Sequence, residues 1–278
     1  MKSIPVLNNL SPADQTAWQA LCDHLAEKSP AIVAFSGGVD SGLLAAAMYH
    51  VAEAQMLAVN VDSVVHTDAD RTIAQAVADQ VGFPFLMVPF NDLENEAFCA
   101  NPVDRCYVCK YQRFKYLSEY AQEHGYRFLM EGSNADDAGD YRPGMRAVKE
   151  LGILSPLADC GLTKKQIRAM AKALNLPVWD RPSTPCLATR IPYGTPVTLA
   201  GLHMIQAAED YLSGLGFQAV RVRSDGRTAR IEVQADQINQ LMTKRDEVLA
   251  FMKQAGFIHT TVDLEGYRLG SNNEGIVK

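Results

Sequence analysis

Residues 31–48 read AIVAFSGGVDSGLLAAAM, and this stretch decides the fold. The apolar run AIVAF predicts a buried strand, and a helix is predicted from Ser41 onwards. Between them, Gly37 and Gly38 allow the backbone to approach an anion without a clashing side chain. The amides at the start of the helix point at such an anion with the helix dipole in the favourable sense. Ser36 and Ser41 add hydroxyl donors, so the stretch predicts a phosphate-binding loop.

This loop differs from a Walker A loop, because it has no Gly-Lys-Ser/Thr and its two glycines are adjacent. The alternative interpretation is an ordinary strand-to-helix turn, in which the glycines serve only the backbone geometry. The complete string Ser36–Ser41 in a strand–helix context favours phosphate binding.

Strands and helices are predicted to alternate through about the first 175 residues, and that alternation indicates an α/β fold with a parallel sheet covered on both faces. Residues 91–110 interrupt it with a polar stretch that is broken by Pro102. The predicted elements are a helix at 12–28, a strand at 31–35, a helix from 41, a strand at 56–62, a helix at 67–81, a strand at 84–90, a helix at 111–124, a strand at 127–132 and a helix at 163–176.

The pattern changes after the proline-rich connector 179–196. Two alternating strands around Ser-Asp-Gly-Arg predict a hairpin, and the whole segment suits a small α+β domain. We therefore expect a first domain at 1–180 and a second at 181–278. The predicted elements of the second domain are a helix at 198–214, strands at 217–223 and 228–234, a helix at 236–254 and a strand at 259–266.

The bulk composition is that of an ordinary globular protein, with 47% hydrophobic and 21% charged residues. The apolar runs are too short to cross a bilayer, and no secretory signal is visible at the N-terminus. With six cysteines and no signal, we expect a cytoplasmic protein whose thiols are reduced. The net charge of −6 argues against a long nucleic acid as partner.

Cys106 and Cys109 form a CxxC pair, whose spacing lets one turn of backbone present two thiolates to a metal or cluster. The pair could equally be a redox dithiol, half of a zinc site or two incidental thiols. A zinc site would need two more ligands, for which Cys99, His66 and Cys186 are the nearest candidates.

Cys186 lies in a polar connector close to an arginine, and such thiols are candidates for a low pKa and for reactivity. Iron–sulfur cubanes usually take four protein thiolates. Three thiolates, from Cys106, Cys109 and Cys186, would leave one iron able to bind an exogenous sulfide. In the alternative, Cys186 works alone. Cys22 falls on the core face of its helix, and we favour structural roles for the remaining two cysteines, Cys99 and Cys160.

Several strings together resemble one family. They are SGGVDS at 36–41, EGSNADD at 131–137, DYRPG at 140–144, PCLATRIPYG at 185–194, VRVR at 220–223 and DLEGYR at 263–268. The first of these resembles the PP-loop ATP pyrophosphatase superfamily. The full set, over residues 30 to 273, resembles the LarE family of ATP-dependent sulfurtransferases, which build the nickel-pincer nucleotide cofactor of lactate racemase.

The resemblance implies an adenine nucleotide α-hydrolase-like domain that uses ATP and Mg²⁺. In that family, ATP adenylylates a carboxylate of a pyridinium mononucleotide, pyrophosphate leaves, and a sulfur nucleophile gives the thiocarboxylate. Cys186 matches the sulfur-donor position, and Asp40 would lie near the metal. Cys106 and Cys109 match the extra pair of members that are thought to hold a [4Fe–4S] cluster and relay sulfide; other members sacrifice a cysteine sulfur and leave dehydroalanine. The residues expected to bind ATP are Ser36, Gly37, Gly38, Val39, Asp40, Ser41, Ser63 and Gly132.

Arg221 and Arg223 are expected to bind the substrate phosphate, since residues two apart on a strand share a face and their planar forks suit phosphate. The alternative is a pair of solvated arginines. Four acidic residues could hold metal or simply solvate a loop, and Lys110 could reach a phosphate. The four acidic residues are Glu131, Asp136, Asp137 and Asp140.

The chain departs from the family pattern at Thr189, Leu269 and Asn272. Three other functions stay open on the sequence: a tRNA thiolase of the same superfamily, an amidating ligase like the NAD and GMP synthetases, and a nucleotide-binding module without activity. The family further suggests a homo-oligomer with an external source of sulfide.

Overall fold

The structure is a computed structural model that describes residue 7, residues 9–139 and residues 143–268. The chain forms two compact units, the first made of residues 1–90 and 106–184 and the second of residues 91–105 and 185–278. Residues 91–105 thus group with the second unit, whereas the sequence predicts them in the domain at 1–180. Asp140, Leu269 and Asn272 lie outside the described residues.

The helices and strands alternate along the chain. The helices are α1 (Pro12–Ala26), α2 (Val39–Ala52), α3 (Asp68–Val81), α4 (Glu96–Cys99), α5 (Arg105–Glu123), α6 (Gly144–Glu150), α7 (Pro156–Asp159), α8 (Lys164–Ala173), α9 (Leu199–Gly214), α10 (Ile238–Thr243) and α11 (Arg245–Gln254). The strands are β1 (Ala31–Ala34), β2 (Met56–Asp62), β3 (Phe85–Pro89), β4 (Phe128–Met130), β5 (Arg221–Ser224), β6 (Thr228–Glu232) and β7 (His259–Val262).

The sheet of the first unit runs in the order β3–β2–β1–β4, and its paired strands are parallel. Ala31 opens β1 opposite Met56 on one side and Phe128 on the other, so the phosphate loop follows a central strand. This arrangement with its surrounding helices confirms the predicted α/β fold with a parallel sheet.

Local signals explain where the helices of the first unit begin. Ser11 caps α1 just before Pro12, and Thr67 and Thr163 close capping boxes on α3 and α8. Helix α2 is apolar around most of its circumference, and Leu43, among others, is fully buried. A helix of that kind belongs in the core, which fixes its N-terminus at the carboxyl edge of the sheet.

The second unit has a smaller sheet in the order β5–β6–β7, in which β5 and β6 are antiparallel and β6 and β7 are parallel. Its separate core includes Leu212 from α9 together with Val222 and Ile231 from the hairpin. The predicted small α+β domain is confirmed. The predicted continuous helix 236–254 is wrong, because the helix is interrupted at Lys244 between α10 and α11.

The predicted start of the helix at residue 111 is also wrong, because α5 begins at Arg105. Asn101, in a left-handed conformation with φ of 53°, turns the chain, and the Arg105 amide donates to the carbonyl of Pro102 at 2.9 Å. Proline is compatible with the region just before a helix, where its missing N–H has no partner to lose. Cys106 and Cys109 therefore lie within the first five residues of a helix. Among the described residues, no helix combines the length and the apolar character that crossing a membrane requires.

Candidate active site

The phosphate loop is closed by its own serines. The Ser36 amide donates to Ser41 Oγ at 3.2 Å, and the two hydroxyl oxygens lie 3.0 Å apart. Gly38 is the N-cap of α2, and Gly37 has a φ of 79°. That backbone conformation strongly favours glycine. The loop therefore presents the N-terminus of a buried helix, which is where backbone amides and the helix dipole favour an anion.

Three neighbouring elements hold the loop in place. A Cβ on Gly37 would lie 3.0 Å from the Ala74 Cβ of α3, and a Cβ on Gly132 would lie 2.8 Å from the Ser41 nitrogen. From β2, Asn60 Nδ2 donates to the carbonyl of Phe35 at 2.8 Å. The two glycines are therefore required by close backbone packing around the loop.

A cavity of about 300 Å³ opens beside the loop within the first unit. Its lining combines apolar side chains, including those of Val59, Phe114 and Leu117, with polar residues of the phosphate loop. The apolar side chains suit a flat base, and the polar loop residues suit a phosphate chain. The residues with predicted ATP contacts that line the cavity are Ser36, Asp40, Ser41 and Gly132.

Ser63 has a different environment. It is buried just after β2, and its carbonyl accepts from Arg71 Nη2 at 3.4 Å. Ser63 is not among the described residues that line the cavity. Its expected contact with ATP stays a prediction.

Asp40 is held in the first turn of α2 by two residues from other elements. Lys164 Nζ pairs with one carboxylate oxygen, and Asn134 Nδ2 donates to the other at 3.3 Å. Asp40 still lines the cavity. Magnesium is usually bound through one or two carboxylates together with substrate phosphates, so Asp40 fits the metal role without a complete protein cage.

Glu131 is nearly buried and collects hydroxyl donors. Ser155 Oγ donates to it at 2.8 Å and Ser133 Oγ at 2.9 Å, while Lys110 Nζ lies 3.4 Å away. Lys110 also lines the cavity, and its ammonium group forms an ion pair with the Glu131 carboxylate. The pair gives the lining of the cavity a fixed carboxylate and a neighbouring cation.

The other acidic residues of this loop hold backbone amides. Asp137 accepts from the Asn134 amide at 3.0 Å, and Asp136 accepts from the Lys164 amide at 2.8 Å. Both carboxylates therefore shape the loop after β4 and the start of α8. For Asp136 and Asp137, metal binding and simple solvation of the loop both stay open as predictions.

Helix α5 contributes a basic side to the cavity. Arg113 Nη1 lies 3.2 Å from His66 Nε2, and both residues line the cavity with Lys110. Because a guanidinium can only donate, His66 Nε2 is the acceptor in this contact. Cys106 lies one turn before Lys110 on the same helix, and Cys109 directly precedes it.

Cys106 and Cys109 are half-buried in the first unit, and Cys186 is half-buried in the second. Within the described ranges, no three or more His, Cys, Asp or Glu side chains are grouped so as to hold a metal ion. Cys106 and Cys109 share one helical turn, which suits two ligands of a metal or cluster.

The other cysteines have protected environments. Cys22 is fully buried, as predicted, and burial raises its pKa to about 12. Burial also raises the pKa of Cys160, and that of Cys99, whose Sγ donates to the Leu93 carbonyl at 3.3 Å. A raised pKa disfavours the reactive thiolate, which agrees with structural roles for these three.

Cys186 caps a short 3₁₀ turn, Leu187–Arg190, in the second unit. Its carbonyl accepts from Thr189 Oγ1 at 2.7 Å and from Arg190 Nη1 at 3.2 Å. Arg190 is in turn buried and forms two bonds of 2.9 Å to Glu209. A bidentate pair of this kind is geometrically specific, so the backbone that carries Cys186 is firmly held.

Arg221 and Arg223 differ in exposure. Arg223 is 8% exposed, and it donates to Glu232 at 3.0 Å and to the Thr189 carbonyl at 2.8 Å. Arg221 is half-buried with its guanidinium 5.1 Å from the centroid of the Tyr267 ring. Burial, with the charge of Arg190 nearby, lowers the pKa of Arg221. Their binding of a substrate phosphate stays a prediction.

Sequence reasoning missed three residues that shape this site: Asn60, Arg113 and Lys164. Lys164 had a usable signal, because a cation at the first position of a helix opposes the helix dipole and therefore calls for a carboxylate partner. Asn60 is a buried amide within a mostly apolar strand, which is likewise unusual. The sequence around Arg113 gives no comparable signal of its place in the site.

The loop, the parallel sheet and the cavity define a PP-loop ATP-binding domain, and comparison with known proteins agrees: a PP-loop domain family matches residues 10–142. The chain is 33% identical to the pyridinium-3,5-bisthiocarboxylic acid mononucleotide synthase of Lactiplantibacillus plantarum, over 88% of this chain and 90% of that protein. The chain belongs to the LarE family of PP-loop ATP-using enzymes, as the sequence predicted.

Two further relatives match over most of their length. An uncharacterized protein of Synechocystis is 39% identical over 91% of this chain and 95% of that protein. An uncharacterized protein of Methanocaldococcus jannaschii is 29% identical over 85% of this chain and 90% of that protein. The similarity therefore includes both units.

Proposed function

We propose that this protein is an ATP-dependent sulfurtransferase that converts a carboxylate of a pyridinium mononucleotide into a thiocarboxylate in nickel-pincer nucleotide biosynthesis. The observation that carries the proposal is the 33% identity, over 88% of the chain, to a relative named as a pyridinium-3,5-bisthiocarboxylic acid mononucleotide synthase. The cavity beside the phosphate loop supplies the matching ATP site.

The chemistry has two steps. First, a carboxylate oxygen of the substrate attacks the α-phosphorus of ATP and pyrophosphate leaves. A sulfur nucleophile then attacks the acyl carbon, and AMP leaves with the electron pair of the broken C–O bond. A carboxylate accepts a nucleophile poorly until it carries such a leaving group. The amides at the start of α2 suit the negative charge of the phosphates.

Cys186 is the residue proposed to deliver the sulfur. If its own Sγ is used, the Cα–H proton and the Cβ–Sγ bond are lost together, which leaves dehydroalanine and releases the thiocarboxylate. If sulfide is relayed from an external source, Cys186 ends unchanged. Arg221 and Arg223 are proposed to hold the substrate phosphate, and Asp40 is proposed to hold Mg²⁺ together with the phosphates of ATP.

A [4Fe–4S] cluster on Cys106, Cys109 and Cys186 is part of the proposal. Its support is the CxxC pair on one turn of α5 and the match of all three thiols to the three-cysteine members. When bound, the cluster would supply a coordination position for sulfide. We also propose a cytoplasmic, homo-oligomeric enzyme, following the family.

Replacement of Cys186 tests the sulfur step. C186A is expected to release pyrophosphate from ATP and substrate, but to lose thiocarboxylate formation by about 1,000-fold or more, as for loss of a nucleophile. C160A removes a half-buried thiol outside the proposed site and is the matched control.

The intact mass of the wild-type protein after turnover separates sacrifice of the cysteine, which removes one sulfur, from relay of sulfide, which leaves the mass unchanged. Unimpaired turnover of C186A with ammonia would instead favour an amidating ligase.

Metal analysis tests the cluster. Protein reconstituted without oxygen is expected to contain iron and sulfide and to absorb broadly in the visible range, and the double variant C106A/C109A is expected to lose both. The same C160A variant should keep them. Zinc bound at Cys106 and Cys109 without uptake of iron would contradict the cluster and leave the adenylylation proposal standing.

A further inference from the structure

Gly144 ends the DYRPG string of the sequence and begins α6, where it is buried. Its backbone conformation does not call for a glycine, because Gly144 is not among the residues with positive φ. Glycine also stabilises a helix less than alanine does. The reason for a glycine at this position therefore lies in the space around it.

The space next to Gly144 is filled by the side chain of Lys110 from α5. A Cβ on Gly144 would lie 2.6 Å from Lys110 Cδ and 3.3 Å from both Cγ and Cε. All three atoms are methylene carbons of one flexible side chain. An alanine at position 144 would therefore displace the lysine stem and leave the backbone of both helices in place.

The path that Gly144 leaves open leads the Lys110 ammonium into the cavity beside the phosphate loop. The ammonium lies 5.7 Å from the centroid of the Phe114 ring, one turn further along α5, which is within the range of a cation–π contact. It also lies 3.4 Å from Glu131 Oε2. The Lys110 side chain is still 39% exposed, so a ligand in the cavity can reach it.

Glu131 does not depend on Lys110 for its hydrogen bonds. Its Oε1 accepts from the Ser155 hydroxyl at 2.8 Å and from the Ser133 amide at 3.0 Å, and its Oε2 accepts from the Ser133 hydroxyl at 2.9 Å. The contact with Lys110 is the longest of the four, at 3.4 Å. The ammonium can therefore turn to an anion in the cavity while the carboxylate keeps three hydrogen bonds.

We propose that Gly144 is a positioning residue that holds Lys110 in place to bind the phosphate chain of ATP. This inference rests on the use of ATP in the proposed function and not on the sulfur step. Lys110 contacts Glu131, and the next residue, Gly132, packs against the Ser41 backbone at the start of α2. A lysine supplies a point charge that suits phosphate oxygens. The ammonium thus joins the amides of α2 as a second phosphate-binding group of the same cavity.

The test is a double-mutant cycle on the binding of Mg²⁺ with α,β-methylene ATP, an analogue that cannot be cleaved between its α- and β-phosphates. G144A is expected to raise Kd by about two- to tenfold, the cost of forcing the lysine side chain away from its rotamer. K110A is expected to raise Kd by about 10- to 100-fold, as for loss of a hydrogen bond to a charged group. In the K110A background, G144A is expected to change Kd no further, because the displaced side chain is absent.

Thermal unfolding separates this positioning role from a structural one. G144A is expected to unfold at a temperature no lower than the wild type, because alanine is the better helix former and only a flexible side chain has to move. K149A removes an exposed cation from the same helix and is expected to keep the wild-type Kd.

Three results would overturn the inference: a wild-type Kd in G144A, a wild-type Kd in K110A, or an equal loss of affinity from G144A in both backgrounds. Each of them leaves the sulfurtransferase proposal standing, since that proposal is judged by thiocarboxylate formation in C186A. Conversely, the expected pattern of Kd values together with undiminished thiocarboxylate formation by C186A would support the role of Gly144 and contradict the proposed function.

Discussion

Gly132 lies just after β4 and faces the backbone of the first turn of α2. A Cβ there would approach the Ser41 nitrogen to 2.8 Å and the Ser41 Cα to 3.1 Å. Both contacts are with backbone atoms, so no side chain can rotate away to make room. A larger residue would have to push the β4 loop away from the amides that face the cavity.

G132A is therefore expected to weaken binding of Mg·ATP. Overpacking typically costs about 1–3 kcal/mol, and if this cost falls on the bound state it corresponds to about 5- to 150-fold in Kd. Titration calorimetry with a non-hydrolysable ATP analogue measures the change. G214A is the matched control, because no atom lies within 4 Å of the Cβ it would add, apart from its chain neighbours and the backbone of its own helix. It is expected to keep the wild-type affinity. Equal affinity of G132A and the wild type would show that the loop relaxes freely.

Single residues also mark the limit of what the sequence can predict. The string Ser36–Ser41 identified the phosphate loop because it needs only local backbone geometry and a strand–helix context. The partners of Asp40 come from Asn134 and Lys164, which are 94 and 124 residues away in the chain. Pairing over such separations depends on the folded topology, and no local pattern encodes it.

At the scale of elements, hydrophobic periodicity predicted β2 to the residue and most helices to within two or three. It failed at α5, where Arg105 at the start of the helix is 1% exposed. Its Nη1 donates to the Ala188 carbonyl at 2.9 Å and also contacts Asn101. In a hydrophobicity pattern, a charged residue such as Arg105 is read as an exposed loop residue, even where hydrogen bonds allow its burial. The predicted start of the helix therefore falls too late in the chain.

At the scale of the whole molecule, the order of the predicted elements along the chain indicated the folds of both units. It did not predict which segments of the chain belong to each unit. Residues 91–105 group with residues 185–278. Asn101 makes the connection, because its Nδ2 donates to the carbonyls of Pro192 and Thr195, both at 2.8 Å. These bonds lie outside the helices and strands, so the hydrophobic periodicity of the sequence carries no trace of them.

The pH dependence of the stability of the whole chain offers a last test. Burial opposes the shift, but hydrogen bonds from Thr67 and the charge of Arg181 lower the pKa of Asp70 below its ordinary value of 3.8. A carboxylate with a lowered pKa in the folded state stabilises the protein fully above the unfolded pKa, and that contribution is lost as the pH falls through the folded pKa.

Between pH 7 and 5, D70N is expected to lower the free energy of unfolding by about 1–2 kcal/mol, through the lost cap and ion pair. Below pH 3.8 the wild type loses the same contribution, so the two unfolding curves, measured in urea, should converge. D79N removes an exposed carboxylate from the same helix and should run parallel to the wild type. A D70N deficit that stays constant down to pH 3 would mean that the stabilisation by Asp70 does not depend on its charge.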